Sequence, residues 1–139
     1  MRKIAFILFT CILLIAGCSK DAVEGAKATG KYKGEFAYPI ITIELLKGSC
    51  AALTIETQFG ITQTTTDVKT NGKYPNLSYA GTFKSPSVMV QDGGFLIDVV
   101  FSSPDEFFAK GHFFVSGEDK GGNPMAESGE INTTFKRIE

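Results

Sequence analysis

Residues 94–115, GFLIDVVFSSPDEFFAKGHFFV, decide the fold of this chain. Apolar and polar residues alternate on both sides of the central SSPDE segment, which is typical of two strands with one buried face. One register forms four inward pairs: Phe101 with Phe107, Val99 with Ala109, Ile97 with Gly111 and Phe95 with Phe113. The same register sets Asp98 opposite Lys110 on the other face. Because it satisfies an apolar face, a charge pair and a short loop together, this register predicts a β-hairpin.

The outward face of the hairpin is unusually apolar for a strand face in water. Its large apolar residues are Leu96, Val100, Phe108 and Phe114. A contiguous apolar patch marks an interaction surface or lies under another part of the chain. Two interpretations therefore stay open. This face binds another protein, or a bulge near Gly111 or the N-terminal segment covers it.

From residue 30 onward the chain repeats short alternating segments separated by Gly and Pro, without a helical period. The other inward stripes are Tyr32, Phe36 and Tyr38; Ile41, Ile43 and Leu45; Leu53, Ile55, Thr57 and Phe59; Leu77, Tyr79, Gly81 and Phe83; and Ile131 and Phe135. Weaker strands are predicted at residues 61–68 and around Val88 and Val90. The fold prediction is an all-β antiparallel meander of eight to nine strands. An up-and-down β-barrel is favoured over a β-sandwich, because closure removes exposed edges and strand glycines mark bends.

The two ends of this β region carry a pair of features found together in one group of barrels. Gly30-Lys31-Tyr32 opens the first strand, and Arg137 lies near the end of the last. The pattern resembles the lipocalin-like (calycin) group, in which Gly-x-Trp opens the barrel and a basic residue packs over the Trp. The resemblance implies a cation–π contact between Arg137 and Tyr32. The chain departs from the pattern in having no Trp.

The lipocalin resemblance also implies a small apolar ligand held at the mouth of the barrel. The aromatic residues expected to contact it are Tyr32, Phe36, Tyr38, Tyr79, Phe83, Phe95, Phe101 and Phe113. The same rings are suited to filling a core in a chain of this length. The alternative function is therefore an interaction or structural role without a ligand cavity, and a small envelope hydrolase is a third hypothesis.

The N-terminus has the three parts of a secretory signal. Met1-Arg2-Lys3 is basic, residues 4–14 are apolar, and Ile15-Ala16-Gly17-Cys18 ends the run with small residues and a Cys. The run is short for a transmembrane helix, which needs about 20 residues. The pattern resembles the lipobox of bacterial lipoproteins. This implies cleavage before Cys18, acylation of Cys18 by several chains such as palmitate, and the membrane as a partner.

The lipobox resemblance implies a lipid-anchored protein of the bacterial cell envelope, in the outer membrane, on its periplasmic side or at the cell surface. Ser19-Lys20-Asp21 partly resembles the surface-export signal of Bacteroidetes-type lipoproteins, where a Lys precedes several acidic residues; here Ala22 follows. The expected organisation is a signal peptide over 1–17, Cys18 with a flexible tether over 18–29, and one β domain over 30–139.

The polar residues show no catalytic constellation, and we expect a protein that is not an enzyme and holds no cofactor or metal. His112 is the one histidine, and no Cys or carboxylate cluster has metal-ligand spacing around it. The net charge of −1 and the lack of a basic cluster argue against nucleic-acid binding. Cys50 would be the one thiol left in the mature chain. We interpret it as a small buried residue rather than a reactive nucleophile or an intermolecular bridge.

Overall fold

The computed structural model describes residues 20–85 and 91–139, which form one short helix and nine strands. Helix α1 spans Lys20–Ala26. The strands are β1 Gly30–Gly34, β2 Ile40–Leu46, β3 Ser49–Glu56, β4 Thr62–Thr65, β5 Val68–Lys73, β6 Asn76–Phe83, β7 Gly93–Ser103, β8 Glu106–Glu118 and β9 Pro124–Arg137. The signal peptide, Cys18 and the strand predicted around Val88 and Val90 lie outside the described residues.

These strands form one antiparallel sheet in the order β4-β3-β2-β1-β9-β8-β7-β6-β5. The first strand pairs with the last, so that Tyr32 lies opposite Arg137 and Gly34 opposite Phe135. Because β1 joins the two halves of the meander, the sheet curls into a nearly closed barrel. The prediction of an all-β antiparallel meander that closes as a barrel is confirmed.

β4 and β5 lie at the two edges of the sheet and are joined by a bend at residues 66–67, so together they nearly close the barrel wall. β4 pairs with β3, where Thr65 lies opposite Leu53. β5 follows after residues 66–67 and pairs with β6, where Val68 lies opposite Gly81. The chain thus changes partner at the bend. Among the described strands, the segment of β6 beyond Gly81 is paired with β7 but not with β4 or β5, which leaves a seam in the wall.

The hairpin of β7 and β8 has the predicted register. The inward pairs are Phe101 with Phe107, Val99 with Ala109, Ile97 with Gly111 and Phe95 with Phe113, and Asp98 lies opposite Lys110 on the outer face. Gly111 permits a close approach of the two strands. A Cβ atom at this position would overlap the carbonyl oxygen of Leu96 and lie 2.8 Å from the Cα of Ile97.

Two predicted strands are shorter than expected. β1 ends at Gly34, so Phe36 is half-buried and Tyr38 is exposed in a loop. Pro39 lacks an N–H group to donate to a ladder, which is a physical reason for the interruption. β3 ends at Glu56, and Phe59 is exposed in the turn that follows, where the Gly60 N–H group donates to the carbonyl oxygen of Thr57.

The two ends of the barrel differ. The closed end carries α1 and the loops at residues 47–48, 74–75 and 104–105, and the open end carries the loops at residues 35–39, 57–61 and 119–123.

At the closed end, Ala28 is buried and its carbonyl oxygen accepts a 2.8 Å hydrogen bond from the Gly48 N–H group. Gly25 is buried against Tyr74. The expected flexible tether is thus replaced, from Lys20 onward, by a helix and a loop that pack on the barrel.

Candidate functional site

Arg137 seals the closed end of the barrel. Its guanidinium carbon lies 5.4 Å from the centre of the Tyr32 ring, which confirms the predicted cation–π contact. Its Nη2 donates to the carbonyl oxygens of Lys27, at 2.6 Å, and Pro104, at 3.1 Å. Its Nη1 lies 2.7 Å from an Asp105 carboxylate oxygen. One side chain therefore connects the segment after α1, the β7–β8 loop and the first and last strands.

Most of the aromatic residues predicted to contact a ligand are packed in the core of the barrel. Six of them are buried: Tyr32, Tyr79, Phe83, Phe95, Phe101 and Phe113. The ring centres of Phe83 and Phe95 lie 5.8 Å apart, and Phe101 lies 5.0 Å from the ring of Phe107. Aromatic pairs at such distances are in attractive contact. These six rings therefore contribute to a packed core, and of the eight candidates only Phe83 also lines the cleft described next.

A cleft of about 520 Å³ opens at the seam in the barrel wall, at the open end. Its lining residues come from β4 and the turn before it, from the end of β6 and from the end of β8: Gly60, Ile61, Thr62, Gln63, Thr64, Phe83, Lys84, Gly117 and Glu118. Ile61 and Phe83 are buried and provide the apolar part of this lining. The sequence pattern did not indicate the cleft, because it depends on where the bent strand leaves β6.

Gln63 provides the most informative polar group of the cleft. Its Nε2 donates to the carbonyl oxygen of Ser116, which holds the side-chain amide in one orientation. Its Oε1 is buried and has no hydrogen-bond partner among the described residues. A buried acceptor left without a donor costs about 1–3 kcal/mol. A bound molecule that donates an N–H or O–H group to this oxygen would remove that cost.

The β8–β9 loop beside the cleft is a turn organised by Asp119. The carboxylate of Asp119 accepts hydrogen bonds from the backbone N–H groups of Gly121, at 2.8 Å, and Asn123, at 2.9 Å. The hydrogen bonds from Asn123 and Gly121 lower the pKa of Asp119. Across the described residues, no group of three or more His, Cys, Asp or Glu side chains is arranged to hold a metal ion.

The outward face of the hairpin is exposed over much of its area. Leu96, Val100 and Phe108 are 47%, 51% and 43% exposed, and Phe114 is half-buried. The register irregularity between β7 and β8 lies near Phe101, not at a bulge near Gly111. Residues 20–29 contact the closed end instead. Within residues 20–85 and 91–139, neither a bulge at Gly111 nor the N-terminal segment covers this face.

Cys50, the candidate nucleophile, and His112, the candidate base, lie in different environments. Cys50 is a free, buried cysteine on the inner face of β3. Burial raises the pKa of its thiol from 9.0 to about 12, which keeps the thiol protonated. His112 is exposed on the outer face of β8. Since one side chain points into the barrel and the other into solvent, they do not form a nucleophile–base pair.

Comparison with known protein families, with curated protein sequences and with solved structures finds no match to this chain. The strand order and the Tyr32–Arg137 contact are compatible with a lipocalin-like barrel. In residues 20–85 and 91–139, no helix has the length and apolar character needed to cross a bilayer.

Proposed function

We propose that this chain is a lipid-anchored extracytoplasmic lipoprotein whose lipocalin-like barrel binds a small, partly apolar ligand at its open end. The observation that carries the proposal is the cleft at the seam, which combines an apolar lining with the unpartnered amide oxygen of Gln63. Its volume of about 520 Å³ lies within the range of small-molecule sites, which is about 300–1,000 Å³.

The chemistry of the cleft defines the kind of ligand. A ring or short aliphatic chain would pack on Ile61 and Phe83, and an N–H or O–H donor would reach the Oε1 of Gln63. Lys84 and Glu118 at the rim would remain near the polar end of the ligand. The sequence analysis expected the ligand among the inward aromatic rings. We propose the site at the rim instead, because rings in the centre of the barrel are in contact with one another.

The membrane anchor is proposed on the lipobox-like sequence Ile15-Ala16-Gly17-Cys18. Cleavage there and acylation of Cys18 would hold the protein in the bacterial envelope, at the outer membrane of a Bacteroidetes-type cell. Cys18 lies two residues before α1, which packs at the closed end. The ligand cleft lies at the other end of the barrel, so the anchored protein would present it away from the lipid.

A titration with a fluorescent anilinonaphthalene sulfonate tests the ligand site, since this probe offers a ring, an N–H donor and an anionic group. We expect saturable binding of one probe per chain. Gln63→Leu, which removes the acceptor, should weaken binding about tenfold, equivalent to about 1.4 kcal/mol. Gln58→Leu is the matched control in the neighbouring turn, does not line the cleft and should bind like the wild type.

The probe experiment has two outcomes that contradict the proposal. The first is the absence of saturable binding to the folded wild-type protein. The second is equal binding by the Gln63→Leu and Gln58→Leu variants, which would locate the probe elsewhere. Circular dichroism of all three proteins establishes that each is folded before the comparison is made.

The exposed outer face of the hairpin supports a second candidate function, binding of another envelope protein. Leu96, Val100 and Phe108 are large apolar side chains on one strand pair, and their solvent exposure is the observation that favours it. A crosslinking experiment in cells with a photoreactive residue at position 108 tests this candidate. A specific crosslinked partner would support it. Equal labelling from position 108 and from the exposed wall position 69 would contradict it.

A further inference from the structure

The closed end of the barrel packs against helix α1, which begins two residues after Cys18 in the sequence. Two residues of extended chain span about 7 Å at most, so an acylated Cys18 lies within that reach of Lys20. Helix α1 is in turn fixed to the barrel by the burial of Gly25 and by the Ala28–Gly48 hydrogen bond. If Cys18 is acylated, the short link from Cys18 to Lys20 would bring the closed end, on which α1 packs, to the bilayer.

The closed end carries cationic groups that are available to an outside partner. Lys47 and Lys73 line a cleft of about 580 Å³ between α1 and the β5–β6 turn. In the described part of the chain, neither ammonium group has a carboxylate at ion-pair distance, whereas Lys27, Lys31 and Arg137 do. Phosphate groups of lipids attract such lysines near a membrane surface.

The polar and apolar side chains near Lys47 and Lys73 are also suited to contact a phospholipid surface. Asp21 and Asn76 line the cleft too, and the carboxylate would face the ammonium group of a zwitterionic headgroup. Leu46 is 60% exposed beside Lys47, and Val23 on α1 is 52% exposed. Apolar side chains next to lysines are typical of surfaces that lie in the membrane interface.

Contacts with core residues hold the two loops next to Lys47 and Lys73 in place. The hydroxyl group of Tyr79 donates a 2.6 Å hydrogen bond to the carbonyl oxygen of Gly48, and the ring of Tyr74 lies 4.9 Å from that of Phe101. At the open end, acidic side chains outnumber basic ones: Glu35, Glu56, Asp92, Glu118 and Asp119, against Lys84 and Lys120. At the closed end the two are nearly balanced: Lys20, Lys27, Lys31, Lys47, Lys73 and Arg137, against Asp21, Glu24, Asp105, Glu106 and Glu139.

We propose that the closed end is a membrane-docking surface, on which Lys47 and Lys73 bind phospholipid phosphate groups while Leu46 and Val23 enter the interface. The proposal rests on the anchoring of Cys18 in the proposed function and adds a fixed orientation to it. The protein stands on the bilayer with its strands leading away from the lipid and its ligand cleft at the far end. A tether that let the barrel tumble would give no such orientation.

Fluorescent labels at the two ends of the barrel test this orientation. The acylated full-length protein, with its lipid verified by mass spectrometry, is reconstituted into vesicles of phosphatidylethanolamine and phosphatidylglycerol that contain a headgroup-attached nitroxide lipid. A dye is attached through Ala26→Cys at the closed end, which lies outside the proposed docking residues, or through Gln58→Cys at the open end. Cys50 is buried with a raised pKa and should stay unlabelled.

We expect several-fold stronger quenching of the dye at position 26 than at position 58. The charge reversal Lys47→Glu with Lys73→Glu should remove most of this difference, and added salt should reduce it because surface charges are screened. Lys69→Glu with Lys110→Glu makes the same charge change on the barrel wall and should leave the difference intact. Equal quenching at positions 26 and 58 without the charge reversals would overturn the proposal, as would equal effects of the two double variants.

The probe titration of the ligand cleft, repeated on the same samples, separates the two proposals. Stronger quenching at the closed end without probe binding would contradict the ligand site and support the docking surface. Probe binding with equal quenching at both ends would support the ligand site and contradict the docking surface. If the mature protein isolated from the cell envelope carries no lipid on Cys18, the anchor fails, and with it the docking proposal that rests on it.

Discussion

Tyr32 and Arg137 lie directly opposite each other on β1 and β9, and the guanidinium carbon of Arg137 is 5.4 Å from the centre of the tyrosine ring. The Tyr32 hydroxyl group also accepts a 3.0 Å hydrogen bond from Arg137 Nη2 and donates a 2.6 Å bond to the carbonyl oxygen of Pro104. The pair thus connects the strands that close the barrel with the loop between β7 and β8.

Replacement of Arg137 by Lys should destabilise the protein by about 2 kcal/mol, because the ammonium group cannot reproduce the forked donors of a guanidinium. The contacts at risk are those to Lys27, Pro104 and Asp105. Urea unfolding measures the change in the free energy of unfolding. Lys136→Ala is the matched control on the adjacent position, where an exposed ion pair with Glu35 is broken, and should change it by less than about 1 kcal/mol. A smaller effect for Arg137→Lys than for this control would contradict the sealing role.

Gly111→Ala should cost at least about 3 kcal/mol or prevent folding, because the new methyl group would overlap the carbonyl oxygen of Leu96 across the β7–β8 pair. Gly121→Ala offers a control in the exposed β8–β9 loop, where the nearest atoms belong to side chains that can move. It should stay within about 0.5 kcal/mol of the wild type. Thermal unfolding distinguishes the two variants, and similar melting temperatures would be the contrary result.

The stability of the protein should fall steeply above pH 9. The Cys50 thiol has a pKa raised by burial from 9.0 to about 12 in the folded protein. The unfolded chain therefore releases this proton first, and the free energy of unfolding decreases by up to about 1.4 kcal/mol per pH unit between those values. Burial also raises the pKa of Tyr79, which adds to the loss above its ordinary value of 10.0.

Urea unfolding of the wild type and of Cys50→Ala, in steps from pH 8 to pH 10, measures this effect. Below pH 9 the two free energies of unfolding should run parallel. Above it, the wild type should lose stability faster, since only its unfolded state gains a thiolate. In the native protein at pH 8 the thiol should also resist alkylation, and denaturant should expose it. Identical pH slopes for the two proteins would contradict the assigned pKa shift.

Phe107 and Phe108 are adjacent in sequence, but replacement by Ser should destabilise the protein far more at Phe107 than at Phe108. Phe107 is fully buried and its ring stacks on that of Phe135 with centres 5.1 Å apart, so Phe107→Ser should cost about 3–5 kcal/mol. Phe108 is 43% exposed on the outer face, and Phe108→Ser should cost less than about 1.5 kcal/mol. Denaturant titration compares the two variants. A similar loss from both would show that the outer face belongs to the core.

The hairpin of β7 and β8 could be predicted from the sequence because its constraints are local. The alternation of residues, the charge pair of Asp98 with Lys110 and the short loop all select one register, and that register is observed. The contact of Arg137 with Tyr32 was implied by resemblance to a barrel family and is also observed. Strand parity likewise identified Ile131 and Phe135 as inward residues.

The features that form the candidate sites were beyond prediction because they depend on contacts between distant segments. Helix α1 is short and polar, and a helix of this length is stabilised by packing rather than by its own propensity. Gly25 and Ala28 allow that packing, but small residues also suit a tether. The cleft around Gln63 arises where β4 and β5 change partners, a bend that the Thr-rich sequence of residues 61–68 did not reveal.

The pairing of β1 with β9 has a mechanical consequence for an anchored protein. A pull on the open end, opposed by the lipid on Cys18, would act broadly along the strands rather than across them. The hydrogen bonds of β1 with its two neighbours would then be loaded together in shear instead of breaking one after another. If Cys18 is anchored as proposed, the short strand β1 is therefore the element through which such a load would enter the barrel.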